Sequence, residues 1–109
     1  MLHDEKWDLD EDGKVIWGVA NYIDGHGWCQ NMYSTGGKVC ILGAYQALGN
    51  CHVMMIDNIE RHPPLKRIAS FLGYVNLTLN GIAEYNDTKG RTKEEVVTML
   101  KQAAKIRSK

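Results

Sequence analysis

The stretch Asp10-Glu11-Asp12-Gly13-Lys14-Val15-Ile16-Trp17-Gly18-Val19-Ala20-Asn21-Tyr22-Ile23-Asp24-Gly25 decides the fold. Val15, Ile16, Val19, Ala20 and Ile23 recur at the spacing of one buried helical face. Three acids precede that face, where negative charge suits a helix N-terminus, and Gly25 stands where a left-handed stop is wanted. The pattern predicts a helix over residues 13–24 that buries one side against the rest of the chain.

Reading onward, Gly25-His26-Gly27 interrupts the periodicity. Residues 28–33 and 38–40 flank Ser34-Thr35-Gly36-Gly37, a tight-turn sequence that allows a short β-hairpin. Ile41, Leu42, Tyr45 and Leu48 form a second helical stripe closed by Gly49. Residues 50–58 contain an apolar run too short to assign to strand or helix. Pro63-Pro64 can start a helix but not continue one, and Leu65, Ile68, Ala69 and Leu72 supply its apolar side up to Gly73. A short helix or turn over residues 77–83 then carries Tyr85 into a loop, Asn86-Asp87-Thr88-Lys89-Gly90-Arg91. Thr92 and Glu95 make a capping box for a last helix with Val96, Val97, Leu100 and Ala104 on its apolar face. The expected fold is mainly α, a compact bundle of about four helices with room for one short β-hairpin. Residues 1–12 read as an acidic N-terminal arm and residues 13–107 as a single helical domain.

Composition agrees with one small domain. The 109 residues are 44% apolar, enough for a core without staples. No run approaches the ~20 apolar residues that span a bilayer, and the polar, acidic start does not read as a secretory signal. Three cysteines cannot all pair within the chain, which is consistent with reduced thiols and a cytoplasmic location. Net charge is zero but polarised. Residues 1–24 carry seven acids against two lysines, a net of −5, and residues 88–109 carry seven bases against two glutamates, a net of +5. That asymmetry suits a partner surface or an attraction between the two ends. It lacks the overall basic charge of a nucleic-acid binder.

Four constellations bear on chemistry. Asp8, Asp10, Asp12 and Gly13 copy the front half of a calcium loop, but Val19 occupies the position that needs a bidentate Glu. His26, Cys29, Cys40, Cys51 and His52 include a single close ligand pair, His26-x-x-Cys29, where structural zinc sites use two. No metal or cofactor is therefore assigned. Cys29 is a candidate nucleophile with His26, His52 or Asp87 as helpers, but linear order fixes no such arrangement, and no catalytic residue is assigned. Trp28, Cys29, Tyr85, Asn86, Asp87 and Arg91 form the candidate ligand-binding set, pairing aromatics with an amide, a carboxylate and a guanidinium able to grip an anion. Turn chemistry and local ion pairing explain the same residues without a ligand.

Three motifs, Gly27-Trp28-Cys29-Gln30, Gly37-Lys38-Val39-Cys40-Ile41-Leu42-Gly43-Ala44 and Tyr85-Asn86-Asp87 with Gly90-Arg91-Thr92 and Glu95-Val96, resemble a known family. It comprises small domains of actinobacteria and their phages, classed as a domain of unknown function. The resemblance runs over residues 15–105. Tyr85 replaces the family's usual Trp, and Asn31 stands where Gly is common. The resemblance implies a phage origin and supplies no mechanism. The function expected is a non-catalytic binding or accessory protein that engages a host protein or a second copy of itself. The alternative is a small-ligand-binding domain or Cys-dependent enzyme using Trp28-Cys29 and the Asn86–Arg91 segment.

Overall fold

A computed structural model describes residues 9–49, 59–73 and 79–106 of the chain. Its first helix, α1 (Glu11–His26), is longer at both ends than the periodicity suggests. Asp10 caps it by accepting the Gly13 N–H at 2.8 Å, and Glu11 and Asp12 occupy the favourable first turn. The stop is Gly27, with φ of 100°, and not Gly25, which lies inside the helix. Ile16, Val19, Ala20 and Ile23 are buried as expected, whereas Val15 is exposed. Val15 sits one residue, hence about 100° of rotation, off the buried stripe.

Strands β1 (Ser34–Thr35) and β2 (Lys38–Val39) form a two-stranded antiparallel sheet with Ser34 opposite Val39. Gly36 and Gly37 both take positive φ, 55° and 86°, as the tight hairpin turn demands. The hairpin is shorter than its flanking sequence suggested, because Trp28 makes only an isolated parallel bridge to Val39. Helix α2 (Ile41–Gly49) follows at once. Its first five residues are buried, but Leu48, expected on the same stripe, is exposed.

A 3₁₀ turn (Ile59–Arg61) leads into α3 (Pro63–Phe71), with Pro63 and Pro64 in its first turn and Gly73 at φ of 84° beyond its end. Helix α4 (Leu79–Asp87) corrects the sequence reading: Tyr85, Asn86 and Asp87 are its last turn, not the start of a loop. Helix α5 (Lys93–Ala104) opens with the capping box, both reciprocal bonds between Thr92 and Glu95 being present. Its buried face is Val96, Met99, Leu100, Ala103 and Ala104, with Val97 only partly covered. Five α-helices are thus found among the described residues, one more than expected, because α4 is a full element. None is long and apolar enough to cross a membrane. Residues 1–8 and 50–58 lie outside the described residues, and with them Asp8, Cys51 and His52.

Helices α1 and α5 pack most extensively, and α1 also lies against α2 and α3, while α4 packs on α2 and α3. The pair α1/α5 is antiparallel. Lys93 at the start of α5 stands 3.5 Å from Asp24 near the end of α1, and Gly13 meets Ala104 at the opposite end. A Cβ on Gly13 would lie 2.3 Å from the Ala104 carbonyl oxygen, so the helices can approach there only at glycine. Arg67, only 9% exposed, closes that end. Its guanidinium grips both carboxylate oxygens of Asp10 at 2.9 and 2.6 Å and also reaches the Ala104 carbonyl at 3.4 Å. One side chain of α3 thereby ties the N-cap of α1 to the end of α5. The core between them is Ile16, Ile23, Ile41, Leu65, Ile68, Ile82 and Leu100, each worth roughly 1.5–3 kcal/mol on full burial.

Candidate functional site

The C-terminal end of α4 needs partners for its last carbonyls, which have none within the helix. Thr88 Oγ1 donates to the Glu84 carbonyl at 2.8 Å, Arg91 Nε to that of Tyr85 at 3.1 Å, and Gln30 Nε2 to those of Asn86 and Thr88 at 3.1 and 2.9 Å. Two of those donors come from the turn that follows, whereas Gln30 comes from the segment after α1. That segment is thus drawn onto the end of α4.

Asn86 is the centre of the junction and is 2% exposed. Its Oδ1 accepts the Trp28 indole N–H at 2.7 Å and the Ile41 backbone N–H at 3.2 Å. Its Nδ2 donates to the Cys29 carbonyl at 3.1 Å and to Asp87 Oδ1 at 2.9 Å. All four hydrogen-bonding positions of the amide are therefore filled. A single side chain satisfies the loop after α1, the first residue of α2 and its own neighbour.

Asp87 extends the junction by accepting the Asn31 backbone N–H at 2.8 Å. Asn31 has φ of 67°, the only non-glycine with positive φ among the described residues. Asn is among the few side chains that accept this region, and glycine accepts it freely. The chain then runs through Met32 and Tyr33 to the hairpin, and the Tyr33 carbonyl accepts the Cys40 N–H at 3.1 Å. Gly43 passes directly beneath: a Cβ there would lie 1.9 Å from the Tyr33 oxygen.

The two described thiols flank this junction. Cys40 precedes α2, and its Sγ accepts the Gly43 N–H at 3.3 Å, a sulfur in place of the usual capping oxygen. Cys29 Sγ donates to the Met32 carbonyl at 3.5 Å. Burial pushes the Cys29 thiol above its ordinary range and the Asp87 carboxylate adds to the effect, against a smaller pull from Lys38. Burial likewise raises Cys40, overcoming its backbone hydrogen bonds. Both thiols are therefore protonated at neutral pH and are poor nucleophiles.

The two described histidines, His26 and His62, stand elsewhere. His26 stacks on Tyr22 at 3.9 Å between ring centroids, with Nδ1 3.1 Å from the Tyr22 carbonyl oxygen. His62 Nδ1 lies 2.8 Å from the Tyr45 hydroxyl. Among the described residues no three His, Cys, Asp or Glu side chains gather as a metal site, and Asp10 spends its carboxylate on Arg67 and Gly13.

The six candidate residues thus divide in two. Trp28, Cys29, Asn86 and Asp87 meet at the junction. Tyr85 and Arg91 face α5: the Arg91 guanidinium lies 3.8 Å above the Tyr85 ring and 3.6 Å from Glu95. Tyr85 lines a separate groove with Phe71, Leu72 and Met99. Beside the junction opens a cleft of about 340 Å³ lined by Asn31, Met32, Tyr33, Cys40, Leu42, Ala83, Asn86 and Asp87. The Arg91 guanidinium is not among its walls, so an anion grip in this cleft is not built. Nothing in the linear pattern marked Gln30 or Ile41 as a partner of Asn86 and the end of α4.

Fold and site together define a small, mainly helical domain whose connection after α1 is clasped onto the end of its fourth helix. The chain belongs to a family of unknown function, DUF6197, whose model matches residues 10–106. No curated protein and no solved structure matches it.

Proposed function

We propose that the chain is a non-catalytic binding module that engages a protein partner through the surface formed by Asn31–Tyr33 and the adjoining cleft. The observation that carries this reading is the combination of rigidity and apolar exposure in one loop. Met32 and Tyr33 are 52% and 40% exposed, yet the backbone on either side is fastened by Asp87, Asn86 and Cys40. Presenting apolar side chains from a fixed loop lowers the ordering cost of association. The raised thiols and the engagement of His26 and His62 elsewhere weigh against a Cys-dependent enzyme. The resemblance to domains of actinobacterial phages supports a phage-encoded accessory role in the cytoplasm of a host cell. The cleft's volume, at the small end for ligand sites, favours small-ligand binding as a second reading.

Affinity capture from bacterial lysate with wild type, Cys29→Ala and Met32→Ser/Tyr33→Ser, beside sedimentation velocity of each protein, tests the proposal. A captured protein, or a self-associated form, that survives Cys29→Ala and is lost in the loop variant supports it. Capture retained by all three, or lost with Cys29→Ala alone, overturns it.

A further inference from the structure

We infer that the cleft beside Asp87 is a receptor for one basic side chain, Lys or Arg, of a partner polypeptide. This rests on the reading of the Asn31–Tyr33 surface as the recognition face. Asp87 is the last residue of α4, where the helix dipole already places partial negative charge and a carboxylate is disfavoured. Oδ1 is used twice, by the Asn31 N–H and the Asn86 amide, whereas Oδ2 has no partner among the described residues. No Lys or Arg among the described residues pairs with Asp87. Lys38 is close enough to be felt at Cys29, yet it makes no ion pair with the carboxylate. A half-buried carboxylate on a negative helix end, with one oxygen unpaired among the described residues, is complementary to a cation brought by a partner.

The walls narrow the choice of cation. Met32, Leu42, Ala83 and Cys40 are apolar and suit an alkyl stem, while Tyr33 places an aromatic ring at the edge. A volume of about 340 Å³ suits one long side chain better than a large ligand. The exposed Met32 and Tyr33 flanking the opening supply the surface for the polypeptide that carries it. Charge and shape therefore agree on an ammonium or guanidinium presented on a methylene chain.

The test uses blocked tripeptides, acetyl-Gly-Lys-Gly-amide and acetyl-Gly-Arg-Gly-amide, with the norleucine tripeptide as an uncharged control. They are titrated into isotopically labelled protein while amide resonances are followed. The basic peptides should shift Asn31, Met32 and Asp87 with dissociation constants on the order of 1–10 mM, and the norleucine peptide should bind about tenfold more weakly. Asp87→Asn keeps the Oδ1 acceptor for Asn31 and removes the charge, so it should erase the preference for the basic peptides. Ala83→Phe fills the cleft and leaves the carboxylate, so it should abolish the shifts without disturbing Asn31. Equal binding of the norleucine peptide, unchanged binding by Asp87→Asn or Ala83→Phe, or no shifts at these residues overturns the inference. If these peptides fail while the loop variant still loses its captured partner, the binding-module reading stands and only the cation receptor falls.

Discussion

At the residue scale, Asn86 is the position with least freedom. Its amide fills two acceptor and two donor roles in a nearly closed site, and no other side chain has both at that reach. Asn86→Leu would retain the approximate volume and strand the Trp28 indole N–H, the Ile41 N–H and the Cys29 carbonyl. With about 1–3 kcal/mol for each buried unsatisfied group, urea unfolding should show a loss of about 3 kcal/mol or more. A loss under about 1 kcal/mol would mean that the amide is not so placed. The thiols make a second residue-level prediction. Cys29 is raised from the ordinary 9.0, so the folded chain holds that proton to higher pH than the unfolded chain does. The associated stability is therefore complete below about pH 9 and is lost as pH rises through the folded thiol's range. In a Cys51→Ser background, unfolding from about pH 8 to about pH 10 should show a steeper loss with Cys29 present than with Cys29→Ala. Equal slopes would contradict the raised thiol.

At the scale of elements, the glycines separate two kinds of helix contact. Gly43→Ala drives a methyl group into the Tyr33 carbonyl and should cost about 2 kcal/mol or more in unfolding experiments. Gly25→Ala adds a methyl with nothing within 4 Å in a helical residue, and should stabilise by about 0.5 kcal/mol. A destabilising Gly25→Ala would restore Gly25 as the stop of α1 and contradict the longer helix. The elements that sequence reading places well are those built by neighbours in the chain. The Thr92/Glu95 capping box, the Pro63-Pro64 start and the Gly36-Gly37 turn are all of this kind. It places Val15 and Val97 on buried faces because an apolar residue beside a stripe cannot be told from one within it. It ends α4 too early because Asn86-Asp87 has turn chemistry. Here a helix tolerates those residues, since Gln30, 56 positions away in the chain, satisfies the Asn86 carbonyl, beside Thr88 and Arg91 on those before it. The candidate site reads in the sequence as two segments, Trp28-Cys29 and Asn86–Arg91. Their meeting, and the turning away of Tyr85 and Arg91, depend on pairings that no local pattern encodes.

At the scale of the whole molecule, two long-range clasps hold the helices in register. Arg67 binds Asp10 and reaches Ala104 at one end, and Asn86 joins the loop after α1 to α4 and α2 at the other. The opposed charges of the two chain ends are partly met within the fold. Lys93 pairs with Asp24, and Lys101 and Lys105 lie over the Trp17 ring. Arg67→Ala removes the cation from the partly buried Asp10, which keeps the Gly13 N–H, and a loss of roughly 1–3 kcal/mol, read as a lower urea midpoint, is expected. A loss under about 1 kcal/mol would show that α3 does not secure that end. The clasp at Asn86 is the claim on which the binding surface depends. Its most direct measure is hydrogen exchange at the Trp28 indole N–H, which donates to Asn86 at 2.7 Å. Exchange slowed to the rate of global unfolding, and sped up by Asn86→Ala, is the predicted result. An indole proton that exchanges as fast as in an open peptide would show that the loop and α4 are not joined.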